Sequence, residues 1–168
     1  MAAGFVDLGE NYAQEMLTKV DLVPGARWHF VGRLQSNKVR LLAGHVHLWQ
    51  SIDRRSLVSE LARRDPGAKV LIQVDLAGTE GRGGVQRGDV GALLAFARDC
   101  GLEVSGLMGV AAPQADAAQE AFSWLAATAA ELGLQEVSMG MSGDLEDALR
   151  AGATMVRIGT ALLGPRRG

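Results

Sequence analysis

Short apolar runs alternate with amphipathic helical stretches along the whole chain, and this alternation narrows the fold more than any other feature. Seven runs read as strands: Phe5–Leu8, Trp28–Val31, Val46–Trp49, Val70–Val74, Val104–Met108, Val137–Met139 and Met155–Ile158. Val70-Leu71-Ile72-Gln73-Val74 is nearly continuous in Val, Ile and Leu, as a parallel strand buried on both faces should be. Between the runs lie helical stripes. Tyr12, Met16, Leu17 and Val20 share one face, and so do Leu57, Val58, Leu61 and Ala62. Val90, Leu93, Leu94 and Ala97 form a third stripe, and Ala118, Phe122, Leu125, Ala129 and Leu132 form the most regular one. The segment Leu34 to Leu42 reads as a weaker helix. Gly101, Gly133 and Gly152 follow helices as C′ glycines do, Pro113 opens a helix, and Pro24 lies just past one.

Strict βα order with no linker or repeat leaves two architectures, a doubly wound sheet or a barrel. The polar corners decide between them. They occur after many strands, whereas a doubly wound sheet gathers its chemistry at one switch point. The expected fold is therefore a (β/α)8 barrel. Such a barrel normally takes about 200 residues or more, and this chain has 168. It is short by about one βα unit, and the first strand begins almost at Met1. The expectation is one domain over residues 1–168, an incomplete barrel with seven strands present.

Composition excludes several classes of function. Hydrophobic residues make up 48% and aromatics only 5%, so the core is aliphatic, and the 22 glycines suit many tight strand–helix corners. The net charge of −2, with both signs scattered, lacks the basic stripe of a nucleic-acid binder. One cysteine, Cys100, allows no internal disulfide and fits a reducing compartment. No stretch approaches a membrane span, and the start shows no secretory signal. The expected location is the cytoplasm, with no membrane or nucleic-acid partner.

In a βα barrel, function collects at the C-terminal ends of strands. Two corners there suit a phosphate group. Ser142 precedes a helical stretch containing Leu145, Ala148 and Leu149, where free N–H groups favour an anion. Gly159 permits close backbone approach, and Thr160 adds a hydroxyl. The local pattern equally admits a plain helix cap and a plain turn. Arg157 alternates with Val156 and Ile158, so it points either into the barrel mouth or outward beneath a helix. A barrel-facing arginine requires an anionic or acceptor partner. His29, between Trp28 and Phe30, reads as a core histidine with its ring satisfied. His45 and His47 have no third ligand at a metal-site interval. Glu10 and Asn11 at the first corner suit either a ligand or loop closure.

Several ordered segments resemble one family. They are Gly9-Glu10-Asn11-Tyr12, Trp28-His29-Phe30-Val31-Gly32 with Leu34-Gln35-Ser36-Asn37-Lys38, Ser138-Met139-Gly140-Met141-Ser142, and Val156-Arg157-Ile158-Gly159-Thr160-Ala161. Together they are similar to the pyridoxal phosphate homeostasis proteins of the YggS/PROSC type, which have a (β/α)8 TIM barrel of the alanine racemase N-terminal type. The resemblance implies a monomeric cytoplasmic protein that binds pyridoxal 5′-phosphate and controls its free level without turnover. It implies that Ser142, Gly159 and Thr160 hold the phosphate, that Arg157 lies near the pyridine nitrogen, and that Asn11 and Met108 line the ring.

The departures from the family are as informative. Its cofactor is held as a Schiff base on a lysine at the end of the first strand. That strand and its helix have no counterpart here, and the expectation is an N-terminally truncated chain with no catalytic residue. Only Lys19, Lys38 and Lys69 are present, none at a strand's C-terminal end. Arg82-Gly83-Gly84 replaces a Lys-x-Gly pattern, and arginine stays protonated. A barrel short of one strand exposes two edges, at a cost of several kcal/mol at ~25 cal/mol/Å², which leaves a lone chain three outcomes: marginal stability, aggregation, or edge-mediated self-association with another copy. Two alternatives remain at this level. One is a racemase-like or other phosphate-binding barrel enzyme, and the other is an inert fragment.

Overall fold

In a computed structural model, which describes residues 4–78, 83–111 and 115–164, six strands form one sheet whose spatial order is their sequence order. They are β1 (Asp7–Glu10), β2 (Arg27–Phe30), β3 (Leu48–Ile52), β4 (Lys69–Asp75), β5 (Glu103–Val110) and β6 (Glu136–Ser138). Every neighbouring pair is parallel. Parallel neighbours require a crossover, and α1 (Ala13–Lys19), α2 (Ser36–Leu42), α3 (Arg55–Arg64), α4 (Val90–Asp99) and α5 (Ala115–Glu131) supply one in each gap. A sheet that never reverses its strand order is wound as a barrel wall rather than doubly wound.

Side-chain parity divides the sheet into two faces. Trp28 and Phe30 of β2, Trp49 of β3, and Val70, Ile72 and Val74 of β4 join the helix-facing core. There they meet Met16, Val39, Leu42, Leu57, Leu61, Leu93, Phe122 and Leu125. The alternate residues Leu48, Leu71 and Met108 form a second, smaller apolar cluster, with Val110 and Met155 packed against it. This second face is the concave interior of the curled sheet.

The sheet does not close among the described residues, because β1 and β6 share no ladder. The expected seventh strand also needs correction. Residues 155–158 contribute one isolated bridge, Ser138 to Met155. Two further bonds continue the line: the Met139 N–H donates to Met155 O, and the Arg157 N–H donates to Gly140 O. A ladder is short here because β6 has only three residues and because Gly140, at φ +88°, turns the chain away after it. The segment nevertheless follows β6 far enough to set the facing of Arg157. It leads into α6 (Leu145–Arg150) on one side and α7 (Thr160–Leu163) on the other.

Strand boundaries move as well, by one or two residues in most strands and most visibly in the first and third. The first strand is Asp7–Glu10 rather than Phe5–Leu8, because its register with β2 pairs Asp7 with Arg27 and Glu10 with Phe30. Phe5 and Val6 are exposed. The third is Leu48–Ile52 rather than Val46–Trp49, and it carries Gln50 and Ser51 inside the sheet, both almost fully buried.

Candidate functional site

Arg157 turns inward. Its Nη1 donates to Ser138 Oγ at 2.8 Å, and its Nη2 donates to the carbonyl of Gly109 at 2.8 Å. Ser138 ends β6 and Gly109 lies near the end of β5, so the guanidinium spans two strand ends on the concave face. Both acceptors are neutral. Among the described residues no carboxylate forms a salt bridge with Arg157. Burial lowers its pKa to about 10, and the charge of Asp144 only partly opposes that shift. The group is still a cation at pH 7, and a desolvated cation with only neutral acceptors calls for an acceptor or anion from a ligand.

The corner beside it holds Ser142 and Gly159. The N–H of Ala161, in α7, donates to Ser142 Oγ at 3.4 Å, so the loop after β6 meets the start of α7. Open space lies where a Cβ on Gly159 would point. The side chain of Thr160 lies outside the described residues, although its backbone opens α7.

The start of α6 offers an anion less than the sequence suggests. The Asp144 carboxylate already accepts from the Met141 N–H at 2.6 Å, and the Asp144 N–H donates back to Met141 O. Glu146 and Asp147 occupy the first turn. A hollow of about 330 Å³ beside this loop is walled by Asp144, Glu146 and Asp147 together with Ser142, and three carboxylates repel a phosphate. The three acids directly after Ser142-Gly143 were the available sequence signal. The side that remains for an anion is the one where Ser142 Oγ meets the start of α7.

Met108 is buried on the concave face with Leu48 and Leu71, Met155 packs against them, and Met108 directly precedes Gly109, whose carbonyl accepts from Arg157. Asn11 is exposed and lies at the other end of the sheet rim. It lines a cavity of about 880 Å³ with Tyr12, Gly32, Arg33, Lys38 and Arg54. The structure therefore gathers Arg157, Ser142, Gly159 and Met108 around β5, β6 and the following segment, and puts Asn11 at the ends of β1, β2 and β3. Gly32 is required at that end, since a Cβ there would come within 2.0 Å of the Asn11 carbonyl oxygen.

The lysines are accounted for individually. Lys19 pairs with Glu10 at 2.5 Å, and the hydrogen bond to that carboxylate raises its pKa. Lys69 pairs with Glu136 at 2.5 Å, at the beginning of β4 and β6 and hence at the opposite end of the strands from Arg157. Lys38 lies on α2 and lines the 880 Å³ cavity. Arg82 lies outside the described residues.

Sequence reasoning overlooked the residues behind Arg157. Gln50 Nε2 lies 2.9 Å from His29 Nδ1, and Ser138 Oγ donates to Gln50 Oε1 at 2.6 Å. His29 Nε2 lies 3.1 Å from Asp7 Oδ1. His29 is thus a buried histidine with both ring nitrogens engaged, as its setting between two aromatics implies. Burial lowers its pKa, against the raising effect of Asp7. The missed signal was parity: Gln50 and Ser138 are polar residues on the same inward face as Arg157.

These residues can hold an anion at the Ser142–Gly159 corner and a hydrogen-bond acceptor at Arg157. An aromatic phosphate ester with a ring nitrogen has both groups. The model of the family described as "Alanine racemase, N-terminal domain" matches residues 1–167. A pyridoxal phosphate homeostasis protein of Pseudomonas aeruginosa is 40% identical, the match covering 98% of this chain and 76% of the relative. One from Deinococcus radiodurans is 43% identical, covering 96% and 79%. Among solved structures, PipY of Synechococcus elongatus is 34% identical, with a TM-score of 0.88 without pyridoxal phosphate and 0.86 with it bound. Both comparisons cover 97% of this chain and 84% of PipY. A lysine decarboxylase from Selenomonas ruminantium, at 18% identity and a TM-score of 0.71, shares the fold alone.

Proposed function

Because the chain belongs to the alanine racemase N-terminal domain family and sides with the pyridoxal phosphate homeostasis proteins within it, we propose that it binds pyridoxal 5′-phosphate and controls the free level of that cofactor in the cytoplasm. The observation that carries this reading is Arg157, a half-buried cation whose two hydrogen bonds end on neutral oxygens beside an open glycine corner. When bound, the cofactor supplies a reactive aldehyde and an electron-withdrawing ring, and a carrier needs neither for turnover.

In this proposal the Ser142 hydroxyl and the backbone N–H groups at Gly159 and Thr160 hold the phosphate. Arg157 donates to the pyridine nitrogen. Arginine has no acceptor atom, so it suits only a nitrogen with a free lone pair and keeps it unprotonated, which weakens the ring as an electron sink. Met108 lies beneath the ring and Asn11 borders it from the β1 side. Among the described residues, no lysine shares a hydrogen bond or ion pair with Arg157 or Ser142. Lys19 and Lys69 are already paired with Glu10 and Glu136, and in this reading none of the three lysines forms a covalent bond to the cofactor.

Calorimetric titration tests this with two ligands, pyridoxal 5′-phosphate and phosphate-free pyridoxal. The phosphate ester should bind much the tighter of the two, and Ser142→Ala should weaken it about three- to tenfold, the effect of one hydrogen bond. Borohydride reduction of the complex and peptide mapping should leave Lys19, Lys38 and Lys69 unlabelled. Equal affinity for both ligands would refute the phosphate cradle, and stoichiometric labelling of Lys38, the lysine at the rim cavity, would refute non-covalent binding.

A further inference from the structure

The concave face holds a line of four hydrogen bonds from Arg157 to Asp7, and the direction of every one can be assigned. Arg157 only donates, so Ser138 Oγ accepts from it with a lone pair. The Ser138 hydroxyl hydrogen is then free to go to Gln50 Oε1, 2.6 Å away. The carboxamide cannot be reversed, because its Nε2 also lies 3.0 Å from Met155 Sδ, and a thioether sulfur only accepts. Gln50 Nε2 therefore donates to His29 Nδ1 at 2.9 Å. His29 must then carry its proton on Nε2, which meets the acceptor-only carboxylate Asp7 Oδ1 at 3.1 Å. Three fixed ends, namely a donor-only guanidinium, an acceptor-only sulfur and an acceptor-only carboxylate, leave one arrangement. It crosses the interior from β1 through β2 and β3 to β6, and Gln50 and Ser138 are 1% and 0% exposed.

We propose that Gln50 is a positioning residue for Arg157. By fixing the Ser138 hydroxyl toward itself, it presents a lone pair to the guanidinium and aims the remaining N–H groups of Arg157 at a ring nitrogen acceptor. Gln50 touches no ligand in this role and acts only through Ser138. A line that merely satisfied buried polar atoms would have no reason to discriminate one ligand ring from another, and the proposal rests on the pyridoxal phosphate reading above.

The test uses pyridoxine 5′-phosphate, which lacks the aldehyde, and its carbocyclic analogue with C–H in place of the ring nitrogen. Affinities are measured for the wild-type chain, Gln50→Leu and Gln50→Glu. The wild-type chain should prefer the nitrogen ring. Gln50→Leu should lose about tenfold in affinity for that ring and stay within about twofold for the carbocycle. Gln50→Glu keeps the acceptor toward Ser138 and should restore the preference. In the wild-type chain, 15N spectra should show neutral His29 protonated on Nε2. Equal losses for the two rings, no loss at all, or a proton on His29 Nδ1 would overturn the positioning role while leaving the proposed function standing. Failure of the wild-type chain to bind either ligand would overturn the proposed function, and this role with it.

Discussion

Asp7 and His29 show how burial and pairing compete at single residues. Burial raises the pKa of Asp7, but its hydrogen bond to Arg27 at 2.6 Å, the charge there and the neighbouring His29 together outweigh that, leaving it below the usual carboxylate value. At His29 burial wins over the attraction of Asp7, and the pKa falls below the ordinary 6.5. The unfolded chain therefore takes up this proton before the folded chain does. The contribution of neutral His29 to stability is complete above pH 6.5 and is lost as the pH falls from there through the folded-state value. An NMR titration of the His29 ring should give a midpoint below 6.5, and a midpoint above it would contradict the assigned hydrogen-bond line. How legible these residues are in sequence depends on what they reveal locally. Arg157 stands out because a charge within Val-Arg-Ile is conspicuous. Gln50 does not, because Trp-Gln-Ser reads as a strand end, and only the pairing of β3 with β2 and β4 shows that it lies inside.

At the level of elements, strand and helix order is legible because apolar periodicity is a local property. Strand ends are less so, because register is set by the neighbour. Phe5 and Val6 are good strand residues left outside the ladder, and the closing segment 155–158 contributes a bridge because β6 ends after Ser138. The two glycine types separate by the same logic. Gly32 is held against the Asn11 carbonyl, where added atoms meet backbone, whereas Gly91 in α4 has open space around its Cβ position. Gly32→Ala should cost at least ~1–3 kcal/mol through overpacking, while Gly91→Ala should gain ~0.5–1 kcal/mol from helix propensity. Urea unfolding of the two variants checks this, and similar effects at both positions would contradict the described corner between β1 and β2.

For the whole molecule, the sheet has one continuous helix-covered core and a smaller concave interior that is partly polar. Asp7 at one edge strand is connected to Arg157 beside the other by side chains rather than by strand pairing. Arg157 is thus both the far end of the interior line and the proposed partner of the ligand ring, so ligand binding and fold stability should be coupled. No helix among the described residues is long and apolar enough to cross a membrane. The free energy of unfolding in urea, measured with and without pyridoxal 5′-phosphate, tests the account most directly. At a free ligand concentration one hundred times the dissociation constant, the folded state should gain about 2.7 kcal/mol, with a smaller gain from phosphate-free pyridoxal at the same concentration. Identical unfolding curves with and without saturating pyridoxal 5′-phosphate would contradict the central claim that this chain binds it.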